Sequence, residues 1–288
     1  MANEILTSTL ALQADVVSDA IGPEIANKVV ITPWVRSENL PTGTIKKQAR
    51  KEGAGMGNGV VVAQAAAYTM GVAGEINQLK VELTVAKTVI GSKLTVEAQD
   101  FGNMDTASVV LRQAAALART MDSSVKALAT GFSQEVNAGA VMDIESAMDA
   151  AYLISAGNHA SDGKKYKCFL DPKHVNQIKK QLVQTGSTPF SNLELLSLLN
   201  TLEQASGYVG SLPSIDFYQV NGLPTGGGDT SGMVINEDLA FFGMYAPSPV
   251  TWIIPKGVEG VYYEIVSFVY NQVAEWHDGA GIELKADT

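Results

Sequence analysis

KVELTVAKTVIGSKLTVEAQDFGNMDTASVVLRQAAALARTMDSSVKAL, residues 80–128, switches its hydrophobic period partway along. Leu79, Val81, Leu83 and Val85 alternate with Lys80, Glu82 and Thr84, the period-2 mark of a half-buried strand. Gly91-Ser92-Lys93 reads as a turn, after which Leu94, Val96 and Ala98 resume the alternation. Beyond it Val110, Ala114, Leu117, Met121, Val125, Leu128 and Phe132 recur at steps of three and four, which predicts one helix over 104–132 with a single apolar stripe. Asp105 or Thr106 suits its start and Gly131 its end. Such a helix would be roughly 40 Å long, so a whole domain or several neighbours must lie along it.

Working back toward the N-terminus, the chain reads as an arm. Gly43 to Arg50 is strand-like and carries Lys46, Lys47 and Arg50, with Lys51 next. Glycine then occupies every second position at Gly53, Gly55, Gly57 and Gly59, followed by small residues through Ala67. A two-stranded ribbon of this kind is marginal in water unless something covers it. Residues 1–36 mix short apolar steps with breakers such as Gly22, Pro23 and Pro33. Ala14 to Ala20 suits a short helix, and Trp34 is the expected anchor where the arm meets a body.

Toward the C-terminus the pattern is α/β. Asp143 is placed to cap a helix with Ile144, Ala147, Met148, Ala151 and Ile154 inward. Tyr166–Leu170 reads as a short buried strand holding the lone Cys168. Asp171-Pro172 then opens a helix with Val175, Ile178 and Leu182 inward. Ser191 to Glu194 fits a capping box before Leu195, Leu199 and Leu202. Strands are predicted near Ile215–Val220 and Met233–Ile235, parted by Gly226–Gly228, and again at Val250–Ile254, Val261–Tyr270 and Ile282–Lys285. The run around Val261–Tyr270 is apolar on both faces apart from Glu264, which suits a strand covered on two sides.

Composition narrows the function classes. Charged residues are 17% of 288, below the usual quarter or so, which fits a subunit whose surface is partly buried against neighbours. A net charge of −10 with no long basic run argues against phosphate neutralisation as the main function. The N-terminus lacks a signal-peptide pattern, and the longest apolar stretch, Val60 to Ala73, is broken and too short to span a bilayer. The expectation is a soluble protein made inside the cell, with no membrane partner.

No catalytic, cofactor or metal constellation emerges. The Gly53–Gly59 run fits no G-x-G-x-x-G register and follows a charged run where a nucleotide loop would follow a buried strand. His159, His174 and His277 lack ligand spacing. Asp143, Glu145 and Asp149 complement a helix start. Lys46, Lys47, Arg50 and Lys51 read either as a solvated face or as a basic strip meeting an acidic patch on another subunit.

The order of elements, carried by the stretch quoted above and by FLDPKHVNQIKKQL (169–182), resembles the major capsid proteins of tailed bacteriophages, the Hong Kong 97-type fold. The resemblance spans essentially the whole chain and implies an α+β fold. It would comprise an N-terminal arm (1–36), an extended β-ribbon loop (37–100), a peripheral domain with a long spine helix (101–142), an axial α/β domain (143–245) and peripheral return strands (246–288). The spine-helix core would be Val110, Leu117, Met121, Val125 and Leu128. Contacts between subunits would fall to Trp34, Lys46, Lys47, Arg50, Lys51 and the glycines Gly53, Gly55, Gly57 and Gly59.

The resemblance further implies a non-enzymatic homo-oligomer of pentamers and hexamers, without cofactors. It would form an icosahedral shell around double-stranded DNA in a virion assembled in the host cytoplasm. Scaffolding, portal and cement proteins would be separate chains. Two other classes stay open: an encapsulin-type nanocompartment, separated by its protein cargo, and a small-molecule α/β enzyme, separated by a monomeric or dimeric state with ligand stabilisation.

Overall fold

In the computed structural model, residues 25, 28–39, 46–52, 78–95, 106–136, 140–157, 163–184, 207–226, 228–245, 250–256 and 262–287 are described. Helix α1 (Thr106–Lys126) buries Val109, Ala114, Leu117, Ala118, Met121 and Val125 along one side. Leu128 is half-buried just beyond it, and the Val110 side chain lies outside the described residues. The helix stops short of the 104–132 expected from the sequence. After Lys126 the chain tightens: Leu128 N–H donates to Val125 O and Gly131 N–H to Leu128 O, both at 3.0 Å, and Ala129–Gly131 is a 3-10 turn. Such i→i+3 bonds satisfy a helix's last carbonyls in a narrower coil. The tightening lets Phe132 turn inward to meet the Phe241 ring at 5.4 Å.

Fourteen described strands form three sheets. The arm contributes β1 (Arg36–Asn39), and the ribbon contributes β2 (Lys46–Glu52) and β3 (Gln78–Thr84). Then come β4 (Ala86–Thr95), β5 (Glu135–Val136) and β6 (Tyr166–Leu170). A hairpin, β7 (Tyr208–Ser211) and β8 (Ile215–Gln219), is followed by β9 (Thr225–Gly226) and β10 (Asp229–Ile235). The last four are β11 (Phe241–Tyr245), β12 (Val250–Lys256), β13 (Tyr262–Glu275) and β14 (Gly281–Asp287).

One sheet is built on β13, the longest strand. β4 pairs along one edge (Tyr262↔Thr95 to Asn271↔Ala86), while β12 and then β11 pair along the other, and β1 adds parallel to β11. Strand β4 runs straight through Gly91-Ser92-Lys93, where a turn was expected; the interruption is at Val85 instead. Continuous pairing with β13 holds the glycine extended, and Ser92 keeps the alternation between Ile90 and Leu94. Glu264, the one acidic residue in that run, lies directly across from Lys93, an opposite-charge pair at cross-strand distance.

The second sheet has the order β5-β14-β10-β6-β8-β7, with β9 on β10. On one face of it lie helices α2 (Ile144–Ala156) and α3 (Pro172–Gln184), packed on Cys168, Leu170, Phe217, Val234 and Leu284. Their caps are those read from the sequence: Asp143 Oδ1 accepts from Ser146 N–H at 2.7 Å, and Asp171 Oδ1 from Lys173 N–H at 3.0 Å. Met148, expected inward, is 46% exposed. The buried stripe of α2 is Ala147, Ala150, Ala151 and Ile154, whose small side chains seat the helix close to the sheet and leave Met148 on the outer flank. The Leu182 side chain and the 191–202 helix lie outside the described residues.

Sheet membership differs from the expected grouping of 246–288. β12 and β13 do join the first sheet, but β14 inserts between β5 and β10 of the second, while β11, within 143–245, belongs to the first. β14 is buried on both sides from Gly281 to Leu284, a pattern only a central strand accommodates. The sheets meet at a shared core where Phe169, Met233 and Ile235 pack with Phe241, Val273, Val125 and Phe132.

Two stability consequences follow from this core. A Cβ on Gly281 would stand 2.1 Å from the Phe132 ring, so Gly281→Ala should lower the unfolding free energy by about 1–3 kcal/mol through overpacking, and Phe132→Leu should relieve part of that loss. An additive double mutant would show that the two do not meet. His174 is fully buried, and burial lowers its pKa against an opposing pull from Asp171. The folded state then binds fewer protons, so this contribution is present above the unfolded value of about 6.5 and lost as pH falls below it. Melting curves between pH 7 and pH 5 should slope less for His174→Gln than for the parent chain.

Candidate assembly surface

The arm is held by one carboxylate. Asp122, buried in the stripe of α1, accepts from Val30 N–H at 2.8 Å, Ile31 N–H at 3.2 Å and Thr32 N–H at 3.1 Å, and from the Thr32 hydroxyl at 2.7 Å. Three consecutive backbone donors on one anion make a strong charge-assisted clamp. Sequence reasoning missed it; the available signal was an aspartate interrupting an otherwise apolar stripe. Trp34 sits just beyond the clamp, its ring 5.3 Å from that of Tyr218 and its face over the Lys167 ammonium at 4.2 Å. The tryptophan thus anchors the arm within its own chain, bridging α1 to the second sheet.

Lys167 is a charge in a buried strand, and its partners explain it. It donates to Asp216 Oδ2 at 2.9 Å and approaches Glu237 at 3.7 Å. Burial pushes the Asp216 carboxyl up, but hydrogen bonds from Lys167 and Ser211 outweigh it and hold the group below its ordinary range. A second polar network ties α1 to the first sheet. Gln113 donates to Ile265 O at 2.7 Å and accepts from Ser267 Oγ at 2.6 Å, and Ser267 meets Thr251 Oγ1 at 3.0 Å. Fully satisfied networks of this kind fix one arrangement of a helix on a sheet.

The ribbon stands apart in its pairing. β2 and β3 form a two-stranded sheet from Lys46↔Thr84 to Glu52↔Gln78 that joins neither large sheet. Its root is fastened: Leu83 is buried against Phe242, Met244 and Trp276. Lys46, Lys47, Arg50 and Lys51 all fall on β2, in register with Thr84, Leu83, Lys80 and Leu79. Their side chains, and Gly53, Gly55, Gly57 and Gly59, lie outside the described residues.

Among the described residues α1 covers one face of the first sheet, and the ribbon root at Leu83 covers only the β11 end of the other, where Phe242 and Met244 lie. α1 lies on Ile253, Ile265 and Val269. Register puts Val89, Phe268, Val250, Val266 and Trp252 on the opposite face, where Trp252 and Val89 are each 53% exposed and Val250 39%. Trp252 packs edge-on to Phe268 at 5.1 Å, and the Lys87 ammonium stands 3.8 Å from the Phe268 ring. An aromatic patch rimmed by a cation, with no helix of the described chain above it, has the character of a protein-binding face.

Among the described residues no three His, Cys, Asp or Glu side chains cluster as metal ligands. Cys168 is wholly buried, and burial pushes its thiol far above the ordinary range. Asp143 is occupied in capping α2. Among the described residues no helix is long and apolar enough to cross a membrane.

No protein-family model matches the sequence, and no curated protein matches it. Solved structures do. The capsid of cyanophage P-SCSP1u superposes with a TM-score of 0.61 at 15% identity, over 91% of this chain and 89% of that one. The capsid of Ralstonia phage GP4 gives 0.64 at 8% identity, over 88% and 87%. The capsid of an empty GTA particle gives 0.63 at 12%, over 91% and 90%. The likeness is one of fold: the chain has the α+β fold of phage capsid proteins across nearly its whole length.

The clamp carries its own test. Asp122→Ala strands three backbone donors and should cost about 3 kcal/mol of stability. Limited proteolysis should then cut N-terminal to Trp34 faster than in the parent chain; unchanged cleavage would mean that the arm is held elsewhere.

Proposed function

We propose that this chain is a major capsid protein of the Hong Kong 97 type, a structural subunit that closes its own surface with further copies. The observation that carries the reading is the uncovered aromatic face of the first sheet, in a chain whose fold is that of phage capsid proteins. The peripheral unit is the first sheet with α1 as its spine, and the axial unit is the second sheet with α2 and α3. Of the expected loop 37–100, residues 37–39 and 86–95 pair within the chain's own first sheet, so the β2–β3 ribbon and the arm ahead of the Asp122 clamp are what reach neighbouring subunits, with the basic residues of β2 and the glycines Gly53–Gly59 among their contacts.

Head-to-tail contacts close into rings, here pentamers and hexamers on an icosahedral lattice. Covering about 1,000 Å² of apolar surface contributes roughly 25 kcal/mol gross. Most of that is offset by immobilising the subunit and ordering its side chains. Individual contacts therefore stay weak enough to correct errors, while many together hold a shell.

The shell encloses double-stranded DNA without reading its sequence, consistent with a wall of net charge −10. Scaffolding, portal and cement functions fall to separate proteins, and assembly takes place in the host cytoplasm.

Electron microscopy of the purified protein should show closed shells, and Trp252→Asp should abolish them while leaving a subunit with an unchanged melting transition. Nuclease-protected DNA in particles from infected cells supports a capsid, whereas a protein cargo identifies a nanocompartment. A wild-type protein that sediments only as monomer contradicts the reading.

A further inference from the structure

A second uncovered surface lies on the axial unit. The outer flank of α2 presents Met148 and Tyr152, 46% and 70% exposed, beside Glu145 and Asp149. Between this flank and the 212–214 turn runs a groove of about 320 Å³, walled by Tyr152, Leu212 and Pro213 and floored by Tyr166 and Ile215. At the floor, Tyr166 OH and Ser155 Oγ are hydrogen-bonded at 2.7 Å. α2 contains no basic residue.

α3 is its electrostatic opposite. It contains no acidic residue, and its exposed side carries Lys173 and Lys180. Neither lysine, nor Glu145 or Asp149, forms an ion pair among the described residues. The two helices are neighbours on the same face of the sheet: Met142 N–H, just before α2, donates to Gln177 Oε1 of α3 at 3.2 Å. The groove sits at the Tyr166 end of β6, and α3 departs from the other end through Asp171 and Pro172. A single chain therefore displays an apolar groove flanked by the acidic side of α2 and, on the neighbouring helix, a basic face.

We propose that these two surfaces are the halves of one heterologous contact, with the groove and α2 flank of one copy receiving the α3 face of the next copy around the ring. This rests on the shell reading and adds the contact that closes its rings. Two different patches on one chain generate rings by repeated head-to-tail docking. Opposite charge selects the pairing and its direction, and Tyr152 with the groove supplies the buried apolar centre.

Charge reversal tests this directly. Glu145→Lys with Asp149→Lys, and separately Lys173→Glu with Lys180→Glu, should each abolish shells while the melting transition stays that of the parent chain. The quadruple variant should restore them. Mixing the two double variants should close only even-membered rings, hexamers without pentamers, because alternating copies satisfy every contact only when the number is even. The proposal is overturned if either double variant assembles like wild type, if the quadruple variant is no better than the doubles, or if the mixture yields pentamers. A wild-type chain that forms no shell overturns the shell reading and this contact together; wild-type shells that tolerate the reversals overturn the contact alone.

Discussion

A β-sheet with two apolar faces needs two covers, and the described chain supplies one in full and, through Leu83 over Phe242 and Met244, only one end of the other. Helix α1 shields Ile253, Ile265 and Val269 on the inner face, and the buried Gln113–Ser267–Thr251 network locks it there. Nothing in the described chain shields Trp252, Val89 and Val250 on the other side. At about 25 cal/mol for each Å² of apolar surface, leaving that face in water is a standing cost that a second molecule removes. The spine helix, the arm clamp and the shared core between the sheets all hold this half-covered sheet in one orientation, ready for that second molecule.

The clamp shows how few polar contacts such a frame needs. Asp122 grips three consecutive amides of the arm, and two residues further on Trp34 reaches across to Tyr218 and Lys167 on the second sheet. A short segment of arm therefore fastens the spine helix to the axial unit. The hydrophobic junction around Phe132, Phe169 and Phe241 completes the same joint from within. Because a buried carboxylate without its donors is costly, the joint is either whole or open, with little between.

Much of this was legible in residue order. The amphipathic stripe of α1, the caps at Asp143 and Asp171, and the buried strand Tyr166–Leu170 all follow from local chemistry, and each formed as local chemistry dictates. What stayed hidden depends on pairing between distant segments. Gly91-Ser92-Lys93 has turn composition, yet a ladder to β13 draws it straight. β14 follows β13 closely in sequence but belongs to the other sheet, because its burial on both sides fits only a central position. Met148 faces out because alanines, not larger residues, set how closely α2 approaches its sheet. Asp122 and the exposed Trp252 face are likewise products of tertiary arrangement. The first looked like a flaw in an apolar stripe, and the second like any tryptophan in a strand.

The central claim is that the outer face of the first sheet is empty in the free subunit and filled in the particle. Hydroxyl-radical footprinting read by mass spectrometry compares Trp252 in dissociated subunits and intact particles, with the buried Trp276 as internal reference. Trp252 should label readily in the free subunit and lose that labelling on assembly, while Trp276 stays protected in both. Equal labelling of Trp252 in subunits and particles would contradict the account.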